Sequence, residues 1–104
     1  MAKALDFTKV KKEYLPVTFP DGKNILVGTP TKAIFNSLEF LDSDEGENEN
    51  IDGLYEACAL VMSRNKTGAV ISKEYIESVF DLQDVITFFS AYKAFLVEVL
   101  NGKN

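Results

Sequence analysis

Residues 81–102, DLQDVITFFSAYKAFLVEVLNG, are the stretch of sequence that decides the fold. Asp81, with Asp84 three residues later, is typical of a helix N-terminus, and Gly102 is typical of the residue that follows a helix. These signals predict a helix over about 82–101. At about 100° per residue, its apolar side chains cover more than half of the circumference, which is wider than the apolar stripe of most surface helices. The pattern favours a central helix that the rest of a small bundle covers.

The same breadth allows a second interpretation, in which one flank of this helix stays exposed and docks a partner protein or another copy of the chain. The candidate flank, and so the candidate partner-binding set, consists of Phe88, Tyr92, Phe95 and Val99. Large aromatic side chains suit a core and an interface equally well. The sequence therefore leaves both interpretations open.

A β-hairpin is predicted near the N-terminus, over about 15–27. Residues 15–19 alternate in period two, Asp21 and Gly22 are a strong turn signal, and a short apolar run follows. Pro16 has no backbone N–H, so the first strand should be an edge strand. Because a lone hairpin is marginal in water, it must pack on helices or pair with another chain.

Three more helices are predicted between the hairpin and the last helix. Thr29 as N-cap and Pro30 as first helical residue open the first of them, with Thr31 as an alternative cap. The second shows apolar residues at intervals of three and four, and Ser72 caps the third. The predicted helices cover about 30–42, 51–65 and 72–80.

Residues 42–50, DSDEGENEN, contain no apolar side chain and predict a flexible acidic loop, after which Asn50 or Asp52 caps the next helix. The carboxylates do not form a calcium loop, because Gly46 arrives one place too early for the EF-hand spacing. Charge is distributed unevenly around this loop. Residues 1–32 carry six lysines against three carboxylates, whereas residues 33–62 carry eight carboxylates and no basic residue.

Composition excludes several classes of function. The chain has no histidine and one cysteine, Cys58, so Ser-His and Cys-His catalysis and Cys/His zinc sites are excluded, and Cys58 is expected to be a small buried hydrophobe. No glycine-rich phosphate loop is present, and the net charge of -5 argues against binding nucleic acid. No apolar run is long enough for a membrane span. We therefore expect a binding protein, not an enzyme, with no cofactor or metal and no membrane partner.

Six short phrases follow one another along nearly the whole chain, with the acidic stretch between the third and the fourth. They are LDFTK (5–9), YLPVTFPDG (14–22), TPTK (29–32), MSRNK (62–66), ISKEYI (71–76) and DVITFFSAY (84–92). Their order resembles that of the tail assembly chaperones of siphophages and prophages of Gram-positive bacteria. The resemblance lies in the order of elements and not in a chemical motif.

The resemblance implies a protein that is made in the infected host and binds the long, helical tape measure protein. It would keep that protein soluble until tail tube protein polymerises around it, and it would be absent from the finished virion. A longer form, made by ribosomal frameshifting, adds a domain that contacts tail tube protein. This chain, which ends at Asn104, looks like the short form.

Together these observations predict a single domain over residues 1–104 of the α+β class, mainly α, with an N-terminal hairpin and four helices in a small bundle. The expected function is a phage tail assembly chaperone in the host cytoplasm, with the tape measure protein and tail tube protein as partners and with weak self-association. Two alternatives stay open. One is a virion structural protein such as a head–tail connector component, and the other is an acidic regulator that binds another protein.

Overall fold

An antiparallel hairpin followed by four helices makes up the described part of the chain, which confirms the predicted α+β, mainly α, class. The structure is a computed structural model that describes residues 4–36, residue 38 and residues 51–102. A short 3-10 turn, Phe7–Lys9, precedes the hairpin. The strands are β1 (Leu15–Thr18) and β2 (Asn24–Val27), and the helices are α1 (Lys32–Asn36), α2 (Ile51–Met62), α3 (Lys73–Val79) and α4 (Leu82–Leu100).

The turn between β1 and β2 is built from the residues that its geometry requires. The Gly22 N–H donates to the Phe19 carbonyl at 2.8 Å, and the Phe19 N–H donates to the Lys23 carbonyl at 2.7 Å. Gly22 has a φ of 94°, a left-handed conformation that costs glycine little. Pro20 and Asp21 occupy the centre of the turn, as in the loops that end in a left-handed glycine. The predicted hairpin is therefore confirmed.

The hairpin packs on its own helices. Val27 at the end of β2 is fully buried and forms an isolated bridge with Asn65, just after α2. On either side of that bridge, the Lys66 N–H donates to the Leu26 carbonyl at 2.9 Å and the Gly28 N–H donates to a carbonyl beyond α2. These bonds satisfy backbone groups on the outer edge of β2 and tie the sheet to the helical layer.

Helix α2 ends at Met62, three residues before the predicted end at 65. Asn65 holds the chain in a turn directly after the helix. Its side-chain amide donates to the carbonyls of Met62 and Ala69 at 2.9 and 2.8 Å, and its side-chain oxygen accepts from the Ala69 N–H. These local bonds use the last carbonyl of the helix. The backbone of Asn65 also pairs with Val27 of β2, a contact between distant parts of the sequence that local propensity does not reveal.

The other helix ends follow their capping signals closely. Thr31 accepts a hydrogen bond from the Ile34 N–H at 3.3 Å, so α1 begins at Lys32 and the alternative cap, not Thr29, is the correct one. Ser72 caps α3, and Asp81 caps α4 with Asp84 in a reciprocal capping box. The predicted extension of the first helix to 42, apart from residue 38, the acidic loop 42–50 and the Asn50 cap lie outside the described residues.

The core lies between the hairpin, α2 and one side of α4. Helix α2 packs against α1, α3 and α4. The single cysteine, Cys58, is buried in α2 as expected, and burial raises the pKa of its thiol to about 12. The buried apolar residues are Phe19, Val27, Leu38, Ala57, Cys58, Ala59, Val61, Met62, Ile71, Ile76, Phe80, Val85, Phe88, Phe89, Tyr92 and Phe95.

One buried hydrogen bond joins α4 to the end of the hairpin. The Tyr92 hydroxyl donates to the Gly28 carbonyl at 2.9 Å. Burial also raises the pKa of Tyr92, which keeps the hydroxyl protonated as a donor. The bond therefore satisfies a buried carbonyl that lies beyond the end of β2.

We predict that Tyr92→Phe lowers the free energy of unfolding by about 1–2 kcal/mol, because the substitution leaves the Gly28 carbonyl without its donor in the core. Urea unfolding of both proteins tests this, with an unchanged denaturant slope showing that the unfolded state is unaffected. An unchanged midpoint would contradict the assignment of this bond as a stabilising one.

A second bond between side chains links the hairpin turn to α3. The Tyr75 hydroxyl donates to the Asp21 carboxylate at 2.6 Å, and the Lys23 ammonium lies 5.3 Å from the centre of the Tyr75 ring. This bond lowers the pKa of Asp21 below its ordinary value of 3.8 and raises the pKa of Tyr75 from 10.0 to about 12. The turn is thus held to the helix by a charge-assisted bond.

We predict that Tyr75→Phe lowers the thermal midpoint near neutral pH and that the difference depends on pH. The lowered pKa of Asp21 gives stabilisation that is present above pH 3.8 and lost as the pH falls through the folded value. The raised pKa of Tyr75 gives stabilisation that is present below pH 10.0 and lost as the pH rises toward about 12. Thermal melts should therefore show the largest difference between about pH 5 and 9; a difference that stays constant across the range would refute the linkage.

Candidate functional site

Three of the four predicted partner-binding residues belong to the core. Phe88, Tyr92 and Phe95 are 6%, 1% and 9% exposed, so the expectation that they form an exposed flank is wrong. The hairpin and α2 need an apolar surface to pack on, and this aromatic face supplies it. The rings of Phe88 and Tyr92 stack with centres 5.6 Å apart, as in a packed interior. Val99, the fourth residue, is half-buried near the end of α4.

The opposite side of α4 carries the apolar surface that is exposed. Ile86, Val97 and Leu100 are 54%, 55% and 83% exposed. Together with Ser90 and Lys93 they follow one another at intervals of four, three, four and three residues, the repeat with which one helix contacts another. We call these five residues the outer stripe of α4. Its apolar members are exposed, so they are available for contact with a partner helix.

An apolar groove lies next to the outer stripe, between the start of α1 and the last turns of α4. Its volume is about 510 Å³. We call it the C-terminal groove. It contains Val99, the one predicted site residue that is not in the core, and Phe35, which is half exposed. The residues that line it are Thr29, Pro30, Lys32, Phe35, Leu96, Val99 and Leu100.

Two smaller depressions lie elsewhere on the described surface. One, of about 300 Å³, runs between β1 and α4 and is lined by Leu15, Val17 and Phe88 among others. The other, of about 260 Å³, is polar and lies beside Tyr14, with Lys12, Glu13 and Arg64 on its walls.

The described residues also bear on metal and membrane binding. In residues 4–36, 38 and 51–102, no three cysteine or carboxylate side chains come close enough together to hold a metal ion. Over the same residues, none of the helices combines the length and the apolar character that a membrane span requires.

The exposed apolar residues could have been found only in part from the sequence. The breadth of the apolar surface on the last helix indicated that the helix carries more apolar side chains than contact with the core requires. Ile86, Val97 and Leu100 account for that excess. Nothing in the periodicity tells which side the hairpin covers, because the helix is apolar on both.

Comparison with known proteins identifies no relative. No protein-family model, no curated protein and no solved structure matches the chain. The resemblance to tail assembly chaperones therefore stays a prediction from the sequence.

We predict that two alanine substitutions in α4, only two residues apart, differ sharply in effect. Phe95→Ala should cost about 3–5 kcal/mol of unfolding free energy, because it leaves a cavity in the core. Val97→Ala should change the free energy of unfolding by no more than about 0.5 kcal/mol, because its side chain is exposed. Urea unfolding measures both. Similar costs at the two positions would show that the assignment of the core face and the outer face is wrong.

Proposed function

We propose that this chain is a tail assembly chaperone that binds the tape measure protein of a siphophage or prophage, keeps it soluble and, through a longer form, helps to recruit tail tube subunits. The observation that carries the proposal is the outer stripe of α4, which exposes Ile86, Val97 and Leu100 on one side of the longest described helix. The order of sequence phrases that resembles this family supports it from a separate direction.

The form of the stripe suits a helical partner. A long helix with apolar residues in a seven-residue repeat presents a narrow seam, and a second helix with the same spacing packs into it. Ser90 and Lys93 lie between Ile86 and the pair Val97 and Leu100 along the stripe, so the surface contains polar positions as well as apolar ones. A partly polar surface of this kind suits a chaperone that must release its client when tail tube protein replaces it.

The chemistry of the chain supports binding and not catalysis. Cys58, the one thiol, is fully buried and its pKa is raised to about 12, so it supplies no thiolate nucleophile near neutral pH. The chain has no histidine to act as a base. A chaperone needs only an exposed apolar surface and enough charge to keep the complex soluble. The net charge of -5 supplies the charge that keeps such a complex soluble.

The proposal places the protein in the cytoplasm of the infected host and outside the mature virion. A client that is aggregation-prone before assembly has to be met where it is synthesised. Once tail tube protein surrounds the tape measure protein, the surface that the chaperone covered is no longer accessible. The same reasoning distinguishes a chaperone from a head–tail connector component, which would stay in the particle.

The decisive experiment is co-expression of the chain with the candidate tape measure protein. We predict that wild type raises the soluble fraction of tape measure protein and co-purifies with it, and that Ile86→Ser combined with Val97→Ser abolishes both effects. These side chains are about half exposed, so the variant should unfold at the wild-type midpoint.

A matched control is Val70→Ser, which removes an 86% exposed apolar side chain from the segment between α2 and α3. It should behave as wild type. Full activity of the double variant would show that the outer stripe is not the binding surface. Failure of wild type itself to bind or solubilise the tape measure protein, or its presence in purified virions, would refute the chaperone function.

A further inference from the structure

The outer stripe of α4 and the C-terminal groove form one continuous surface. Leu100 belongs to both, and Ile86, at the other end of the stripe, lies about 21 Å from Leu100 along the helix axis. The surface is therefore as long as a helix of about four turns. We call the stripe and the groove together the α4 surface.

The charged side chains of the α4 surface are basic. Lys93 lies in the middle of the stripe and Lys32 lines the groove, and both are exposed. None of the described residues that form the stripe or line the groove is an aspartate or a glutamate, although the chain has 16 of these residues. Glu98 is exposed on the same helix, but it directly follows Val97 and so points about 100° away from it. The surface therefore has the opposite sign to the net charge of -5.

The carbonyl end of α4 adds a smaller negative contribution at one edge of the surface. No basic side chain lies in the last turn of the helix, so its dipole contributes about half of a negative charge there. Lys32 lines the groove beside that end and carries a full positive charge. Lys93 lies about two turns before Leu100, and the effect of the dipole does not extend that far. The α4 surface therefore stays positive overall.

A second copy of the chain does not satisfy this surface. Two α4 surfaces that face each other would bring together two lysines from each copy and no carboxylate from the described residues. A lysine that is covered without an opposite charge costs free energy, because its ammonium group loses its water and gains no partner. The occupant of the surface has to supply the carboxylates itself.

We infer that the α4 surface binds an amphipathic helix that carries carboxylates beside its apolar face. The apolar side chains of such a helix pack against Ile86, Val97 and Leu100. A carboxylate that faces Lys93 then forms a charge-assisted hydrogen bond with it at the interface. The inference rests on the proposed chaperone function for the identity of the partner, because it names the kind of segment of the tape measure protein that the chain would hold.

Two synthetic peptides test which charge the surface prefers. Both peptides have the same length and the same seam of leucines, and the positions beside the seam are glutamate in one peptide and lysine in the other. Wild type should bind the acidic peptide at least about tenfold more tightly in fluorescence anisotropy titrations. The net charge of -5 taken alone favours the basic peptide, so the local surface and the net charge predict opposite orders.

Charge reversal locates the contact. Lys93→Glu should remove the preference for the acidic peptide. Lys11→Glu makes the same change at an exposed lysine outside the α4 surface, and it should keep the preference. Because both side chains are exposed, both variants should unfold close to the wild-type urea midpoint, which shows that the fold is intact.

Three results of the peptide titrations would overturn the inference: equal binding of the two peptides, tighter binding of the basic one, or an acidic preference that Lys93→Glu retains. A dimer in sedimentation velocity that Ile86→Ser with Val97→Ser abolishes would also overturn it, because a second copy would then occupy the surface. A chain that prefers the acidic peptide but leaves the tape measure protein insoluble would refute the chaperone function alone. A chain that solubilises the tape measure protein without this preference would refute the inference alone.

Discussion

The fold depends on the backbone of one residue, Gly28, where three elements meet. Its N–H donates to the Arg64 carbonyl beyond α2 at 2.6 Å, and its carbonyl accepts from the Tyr92 hydroxyl of α4 at 2.9 Å. A Cβ at this position would lie 3.2 Å from the Arg64 oxygen and 3.3 Å from the Tyr14 ring, which is closer than side chains ordinarily approach. The absence of a side chain therefore lets the hairpin, α2 and α4 come together at one point. Both polar groups of the buried Gly28 backbone, its N–H and its carbonyl, have hydrogen-bond partners there.

This junction determines which side of α4 faces the core. Because the hairpin is tied to the carbonyl end of α2 and to Tyr92, its apolar residues must cover the aromatic side of α4. That leaves the side with Ile86, Val97 and Leu100 in solvent. The place where the hairpin docks therefore decides that the aromatic side chains of α4 stabilise the fold and that the exposed apolar side chains on its other side form the candidate site. In a domain of 104 residues there is little surface to cover both sides of a long apolar helix.

Most of the secondary structure was predictable because its signals are local. Ser72 and Asp81 cap helices and Gly22 forms a turn through bonds or conformations within a few residues of themselves. The sequence therefore predicts these helix starts and this turn correctly. The end of α2 was not predicted correctly, because the backbone of Asn65 pairs with Val27 of β2, a contact between residues far apart in the sequence. The choice among Phe88, Tyr92 and Phe95 as surface or core failed for a different reason. A helix whose apolar side chains cover more than half of its circumference has no periodicity that distinguishes core from exposed positions within that half, and only the position of the hairpin decides.

The outer stripe of α4 and the C-terminal groove share one residue. Leu100 belongs to the outer stripe of α4 and also lines the C-terminal groove, and it is 83% exposed. Val97 lies one turn before it, whereas Ile86, the third apolar member of the stripe, lies much nearer the start of the helix. The hydrophobic free energy of binding grows with the apolar area that is removed from water, so a partner that packs on the exposed side of α4 should gain most of it at the carboxyl end of the helix.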